Sequence, residues 1–165
     1  MPDPEDAQDI QAARRRWFAL AALVLPVLLV SMDLSVLYLA VPHISADLTP
    51  SSSQMLWILD IYGFVLAGLL IVMGSLGDRI GRRRLLLAGA SLFGVASLLA
   101  AFAPSPELLI AARALMGVGG ATLMPSTLAL IRNVFHDPEE RTRAIGLWTA
   151  AFAGGGVLGP VVGGV

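Results

Sequence analysis

The 165-residue chain contains no cysteine and no lysine, and it carries few charges of either sign. The absence of cysteine excludes a disulfide scaffold and any thiolate metal site. Without lysine, all 11 basic residues are arginines, balanced by 12 acidic residues for a net charge of −1. That balance offers no basic surface for nucleic acid. Only 14% of the residues are charged while 56% are apolar, against about a quarter and about 45–50% in soluble domains. At a length suited to one domain, a soluble core has nowhere to bury so much apolar surface. An integral membrane protein is what the composition implies. Histidine is also scarce: His43 and His136 each lack a second histidine at ligand spacing and read as surface groups rather than metal ligands. The run Gly117–Gly120 lacks the Gly-Lys-Ser/Thr of a phosphate loop, so nothing supports ATP hydrolysis or other enzyme chemistry. No cofactor is implied.

What is present is a succession of apolar runs. Residues 1–13 are polar and acidic, with Asp3, Glu5, Asp6 and Asp9, and are expected to form a disordered cytoplasmic tail. Arg14, Arg15 and Arg16 then precede an apolar run over 17–40. That run is too long for a signal peptide and is followed by further spans. Four more runs, over 54–76, 85–102, 107–131 and 143–165, each approach the ~20 residues that cross ~30 Å of hydrocarbon. The predicted fold class is therefore all-α and membrane-integral, with five transmembrane helices over 14–165. Arg14–Arg16, Arg79, Arg82–Arg84, Arg132, Arg141 and Arg143 fall on one side of this arrangement, and the loops around 41–53 and 103–106 have no basic residue. The arginine bias puts the N-terminus of this multi-pass membrane protein in the cytoplasm.

Asp33, Asp60 and Arg113 lie inside the predicted spans. Charges in hydrocarbon cost at least a few kcal/mol each and usually face a bundle interior or a wet cavity. At 1.5 Å rise per residue, Asp33 lies about 10 Å and Asp60 and Arg113 about 9 Å from the outer surface. A shared polar cavity is expected, with two readings. The three charges form a structural cluster that sets helix packing, or the surplus carboxylate takes up a proton or pairs with a cationic substrate. The surplus negative charge favours function for Asp33 and Asp60. Tyr38, Trp57 and Tyr62 lie near the acids in sequence and offer faces to organic cations, while an interfacial aromatic belt is the alternative, favoured for Trp57.

The segment Gly74-Ser-Leu-Gly-Asp78-Arg79-Ile-Gly81-Arg82-Arg-Arg-Leu-Leu86 resembles the signature G-x-L-A-D-R-x-G-R-K-x-x-L of the major facilitator superfamily. Gly81 suits a tight turn through positive φ, and Asp78 can accept bonds at helix ends. The resemblance implies that this loop gates the inward–outward switch. Leu109-x-x-x-Arg113-x-x-Met116-Gly117-x-Gly119-Gly120-Ala121 is similar to the family's helix-four motif, with Met116 where glutamine is usual. Gly155-x-x-x-Gly159-Pro160-x-x-Gly163-Gly164 resembles the antiporter motif of helix five. Its glycines permit close helix approach, and Pro160 removes a backbone hydrogen bond. Met32-Asp33-Leu-Ser35-Val-Leu-Tyr38-Leu-Ala40-Val41-Pro42 is similar to the helix-one motif of the fourteen-helix drug:proton antiporters, with Tyr38 in place of asparagine. Asp33 together with Asp60 resembles the quaternary-ammonium and dye exporters of that branch.

The resemblance implies the N-terminal part of a multidrug exporter driven by the proton gradient. Its partners would be protons, an organic cation or other small-molecule drug, the lipid bilayer and the remaining C-terminal helices of a longer protein. Asp33, Asp60, Arg113, Tyr38 and Tyr62 are the expected substrate and proton residues. Export of one antibiotic or metabolite, and a transport-inactive membrane fragment, are the alternatives.

Overall fold

The computed structural model describes residues 4–163, and over them the chain forms five helices and no strand. They are α1 (Pro4–Leu48), α2 (Ser52–Ile80), α3 (Arg82–Ala101), α4 (Pro106–Val134) and α5 (Pro138–Gly163). Each contains a stretch long and apolar enough to cross a membrane. In lipid a helix satisfies its backbone polar groups within itself, which makes it the natural form for such runs.

The helix limits follow local chemistry. Ser51 and Gln54 form a reciprocal capping box at α2: the Gln54 amide donates to Ser51 Oγ at 3.3 Å, and the Ser51 amide donates to Gln54 Oε1 at 2.8 Å. Ser105 caps α4 by accepting from the Leu108 amide at 3.3 Å, with Pro106 opening the helix. Asp137 accepts from the Glu140 amide at 2.8 Å at the start of α5. Between α2 and α3 stands the single residue Gly81, at φ +97°. A side chain is strained there, which is why the turn uses glycine.

The sequence expectation of a disordered tail over 1–13 differs from the structure, in which α1 is helical from Pro4 onward. Proline is suited to a first helical turn, and residues such as Gln11 and Ala13 favour helix, so α1 continues below the apolar run without a break. Residues 1–3 lie outside the described segment.

Helix α4 is the centre of the bundle. It packs along both α2 and α3, while α5 packs along α1, and contacts of α4 with α1 and, to a smaller extent, with α5 join the trio to the pair. Thirteen residues of α4 are buried against three of α2, so α4 is the element whose small residues set the spacing. A Cβ at Gly117 would stand 2.8 Å from the Tyr62 carbonyl of α2, and one at Gly120 would stand 3.0 Å from the Tyr62 hydroxyl. At Gly119 it would instead meet the Gly89 carbonyl of α3 at 2.9 Å. Glycines 117 and 120 thus admit α2, and Gly119 admits α3. Close approach of this kind is how helices associate where lipid removes the hydrophobic drive.

The two ends of the bundle are tied separately. At one end Gln54 Nε2 donates to Glu107 Oε1 at 2.6 Å, joining the starts of α2 and α4. At the other, Arg16 pairs with Glu140 at 3.4 Å and Trp17 meets Phe135 edge-on at 5.5 Å. The arginine-bearing turns occupy this second end.

Candidate functional site

The arrangement around Arg113 unites three helices. Its side chain, on α4, belongs to a residue only 2% exposed. Nη1 donates to Asp33 Oδ2 of α1 at 2.6 Å, and Nε donates to the Ile58 carbonyl of α2 at 3.3 Å. The guanidinium carbon lies 4.8 Å from the centroid of the Tyr62 ring, within range of a cation–π contact. Arg113 therefore has a carboxylate, a carbonyl and an aromatic face around it. Removing one partner of a buried ion pair is strongly destabilising, about 3–5 kcal/mol, because the other charge is left uncompensated. Tyr62 is itself fully buried, and its hydroxyl has no hydrogen-bond partner among the described residues.

Asp33 differs from its partner in being partly open, with its side chain 20% exposed. It lies at the base of a cleft of about 400 Å³ between α1, α3 and α4. The α1 wall carries Leu37, Ala40, His43, Ile44 and Asp47, and the facing walls include Ser97, Ala100, Leu109 and Met116. The cleft runs toward the end of the bundle that bears the Gln54–Glu107 tie, away from the arginine-bearing turns. Met116, where the related motif usually has glutamine, contributes an apolar wall and leaves Asp33 as the charged partner of Arg113.

Asp60 is not part of this cavity, which corrects the expectation of one site for three charges. It is exposed, in a shallow depression with Ser53, Leu56, Trp57 and Phe64. The buried side of α2 is set by Ile58 and Tyr62, and Asp60 is two residues from each, about 200° around the helix. Tyr38 is likewise 66% exposed and absent from the cleft wall. Five residues from Asp33 amount to about 140° of rotation, so the two side chains leave α1 in different directions. Trp57 packs edge-on against Phe64 at 6.4 Å, beside Asp60 rather than beside Arg113. Of the five residues expected at the site, Asp33, Tyr62 and Arg113 come together and Asp60 and Tyr38 do not.

The turn between α2 and α3 is built as its glycines suggest. Arg82 Nη2 donates to Asp78 Oδ1 at 2.6 Å, bridging the end of α2 and the start of α3 across Gly81. The Arg82 stem lies over Gly77, where a Cβ would stand 2.9 Å from its Cδ. Gly77 replaces the alanine of the related signature and so makes room for this arginine. Arg79 is exposed, and a Cβ at Gly74 would have no neighbour within 4 Å among the described residues.

In α5 the glycine motif faces α1. A Cβ at Gly155 would overlap the Ser31 hydroxyl and stand 2.8 Å from the Leu28 carbonyl. One at Gly159 would overlap the Ser35 hydroxyl and stand 3.0 Å from the Met32 carbonyl. Ser31 and Ser35 return their own hydroxyls to Leu28 O and Met32 O, each at 2.9 Å. The crossing thus runs alongside Asp33 on α1. Pro160 is inside α5, Gly163 is its last residue, and Gly164 lies outside the described residues.

The sequence motifs gave no signal for His43, which lies on the wall of the Asp33 cleft while also exposed at its mouth. The available hint was helical spacing: Asp33, Leu37, Ala40, Ile44 and Asp47 fall on one stripe of α1, and His43 borders it, three residues from Ala40 and four from Asp47.

The sequence is 60% identical over 150 residues to the multidrug efflux pump LfrA of Mycolicibacterium smegmatis, covering 91% of this chain and 30% of that protein. It is 46% identical over 151 residues to the methyl viologen resistance protein SmvA of Salmonella typhimurium, covering 92% and 30%. It is 40% identical over 151 residues to the puromycin resistance protein pur8 of Streptomyces alboniger, again covering 92% and 30%. The chain spans about 30% of the length of these relatives. The profile of the Major Facilitator Superfamily matches residues 23–165, which takes in most of α1 and all of α2 to α5. By that match the chain belongs to the Major Facilitator Superfamily.

Proposed function

We propose that this chain supplies the first five helices of a proton-coupled exporter of organic cations in the bacterial cytoplasmic membrane. The single observation that carries the reading is the Asp33–Arg113 pair, buried on the arginine side and open to a cleft on the aspartate side. An ion pair closed off from solvent on both sides could do no more than hold helices together. A carboxylate at a cleft floor has access to protons and to cations as well. With Asp33 ionised, Arg113 is neutralised and α1 is held to α4. A proton on Asp33 weakens that hold, and a difference in proton and drug binding between two conformations is all that coupling requires.

In this reading the N-terminus and the arginine-bearing turns face the cytoplasm, consistent with the positive-inside rule. The Asp78–Arg82 turn at Gly81 gates the switch, and the Gly155–Gly159 crossing lets α1 and α5 move as a closely packed pair. Asp60, on the exposed face of α2 with Trp57 and Phe64, forms a second cation contact with whatever further helices cover that face. Alternating access in such folds uses more than one helical bundle, so the remaining helices of a longer protein are its partners.

The test is uptake of a cationic dye into everted vesicles by the complete transporter. Asp33→Asn is expected to abolish gradient-driven uptake while the protein still reaches the membrane. Asp60→Asn is expected to impair divalent cations more than monovalent ones. Retention of gradient-driven uptake by Asp33→Asn would refute the reading. The similarity to a puromycin resistance protein favours a second reading, export of one particular antibiotic. Failure of quaternary ammonium compounds to compete with dye would select it.

A further inference from the structure

We propose that His43 is the proton-collecting group of the Asp33 cleft, taking protons from the outer side and delivering them to Asp33. This rests on the reading of Asp33 as the proton carrier. The titratable and charged groups facing the cleft are Asp33, His43 and Asp47 from α1 and Arg113 from α4, and α3 contributes Ser97 as its polar group. Tyr62 of α2 lies behind Arg113. Most of the rest of the wall is apolar, as at Leu37, Ala40 and Met116. A proton travelling from the mouth to Asp33 therefore meets His43 and Asp47 as the titratable side chains on its way.

Their chemistry suits the sequence of steps. Histidine is the side chain that exchanges protons most readily near neutral pH. Asp47 lies one helical turn further out and adds negative charge, which raises the local concentration of cations at a cleft mouth. Ten residues of helix separate His43 from Asp33, about 15 Å at 1.5 Å per residue, so direct transfer is excluded and water must link them. A volume of about 400 Å³ holds roughly thirteen waters at ~30 Å³ each. The proton taken from outer water binds the free ring nitrogen of neutral His43. It leaves that nitrogen through the water chain and comes to rest on Asp33 Oδ1. Oδ2 is the oxygen that Arg113 holds. His43 returns to its neutral form and nothing else changes hands.

The experiment uses the complete transporter in everted vesicles, whose lumen corresponds to the outer side. Ethidium uptake is measured with the lumen buffered at about pH 5.5 and about pH 7.5, either side of the histidine range. His43→Ala, and His43→Gln as a variant that keeps size and hydrogen bonding, are expected to slow uptake several-fold at the higher pH. At the lower pH, bulk protons are abundant and the rate returns to that of the parent. No change at either pH, or equal loss at both, would overturn the proposal. These 165 residues contain no cysteine, so Ala40→Cys, in a complete transporter whose cysteines beyond residue 165 are replaced by serine, provides a unique probe halfway along the cleft. Labelling from the outer side by a membrane-impermeant thiol reagent is expected, and a folded but unlabelled protein would overturn the proposal. Asp33→Asn in the same assay separates the two levels. If it still shows gradient-driven uptake, the underlying reading fails, whereas a dead Asp33→Asn with an unaffected His43→Ala refutes the relay alone.

Discussion

The balance at Arg113 decides much of the behaviour expected of single residues. Its guanidinium is neutralised by Asp33, supported by the Ile58 carbonyl and faced by the Tyr62 ring. Replacing Asp33 by asparagine leaves that buried charge without a counter-ion, so Asp33→Asn should lower the thermal midpoint of the purified protein. Arg113→Met in the same chain should restore most of the loss, since the isolated charge is gone. A double-mutant cycle measured by thermal unfolding in detergent checks this, and additive losses would show that the pair is not coupled. Tyr62 separates ring from hydroxyl. Its hydroxyl has no hydrogen-bond partner among the described residues, so Tyr62→Phe should fold and transport close to the parent. Tyr62→Leu removes the π face, worth about 0.5–2 kcal/mol to a nearby cation, and should shift the pH profile of uptake. Equal effects of the two substitutions would place the role in the hydroxyl instead.

Among the elements, helix crossings and turns carry the clearest consequences. Gly155 and Gly159 let α5 lie against the backbone of α1 at Leu28 and Met32. Gly155→Ala and Gly159→Ala should each destabilise the α1–α5 pair by about 1–3 kcal/mol, the usual cost of overpacking. Gly156→Ala serves as the control, because no described residue lies within 4 Å of a Cβ there. The measurement is thermal stability of the three variants side by side. At the α2–α3 turn, Gly81 has φ +97°, and Gly81→Ala should cost about 1–3 kcal/mol in backbone strain. Thr49 is the mirror case. It follows α1 at φ 43°, and Thr49→Gly should raise the thermal midpoint, because the left-handed conformation then carries no Cβ penalty.

For the whole molecule, the paired organisation of α1 with α5 and of α2 and α3 with α4 gives two units that meet at the Asp33–Arg113 pair and again at the Trp17–Phe135 end. A change of charge at that joint is well placed to alter how the units sit together. Orientation across the bilayer is tested with single cysteines in a chain that has none. Ser53→Cys, beside the start of α2, should react with an impermeant thiol reagent on intact cells. His136→Cys, exposed between α4 and α5, should react only after the membrane is opened. The reverse pattern would invert the proposed topology and place the Asp33 cleft on the cytoplasmic side.

The amino-acid sequence by itself determined the number of helices, their order and the common depth of Asp33 and Arg113. Apolar length and a fixed rise per residue are local properties, readable without any neighbour. The turn at Gly81 was also legible, because positive φ selects glycine locally. What only the tertiary structure decided is direction around each helix axis. It turned Asp60 and Tyr38 away from the site, brought Tyr62 under Arg113, set His43 on the cleft wall and assigned Gly117, Gly119 and Gly120 to different neighbours. A soluble helix announces its buried face by a stripe of apolar residues, but a membrane helix is apolar all round. Its inward face is chosen by small residues and paired charges on the helices it meets, and those partners are remote in sequence.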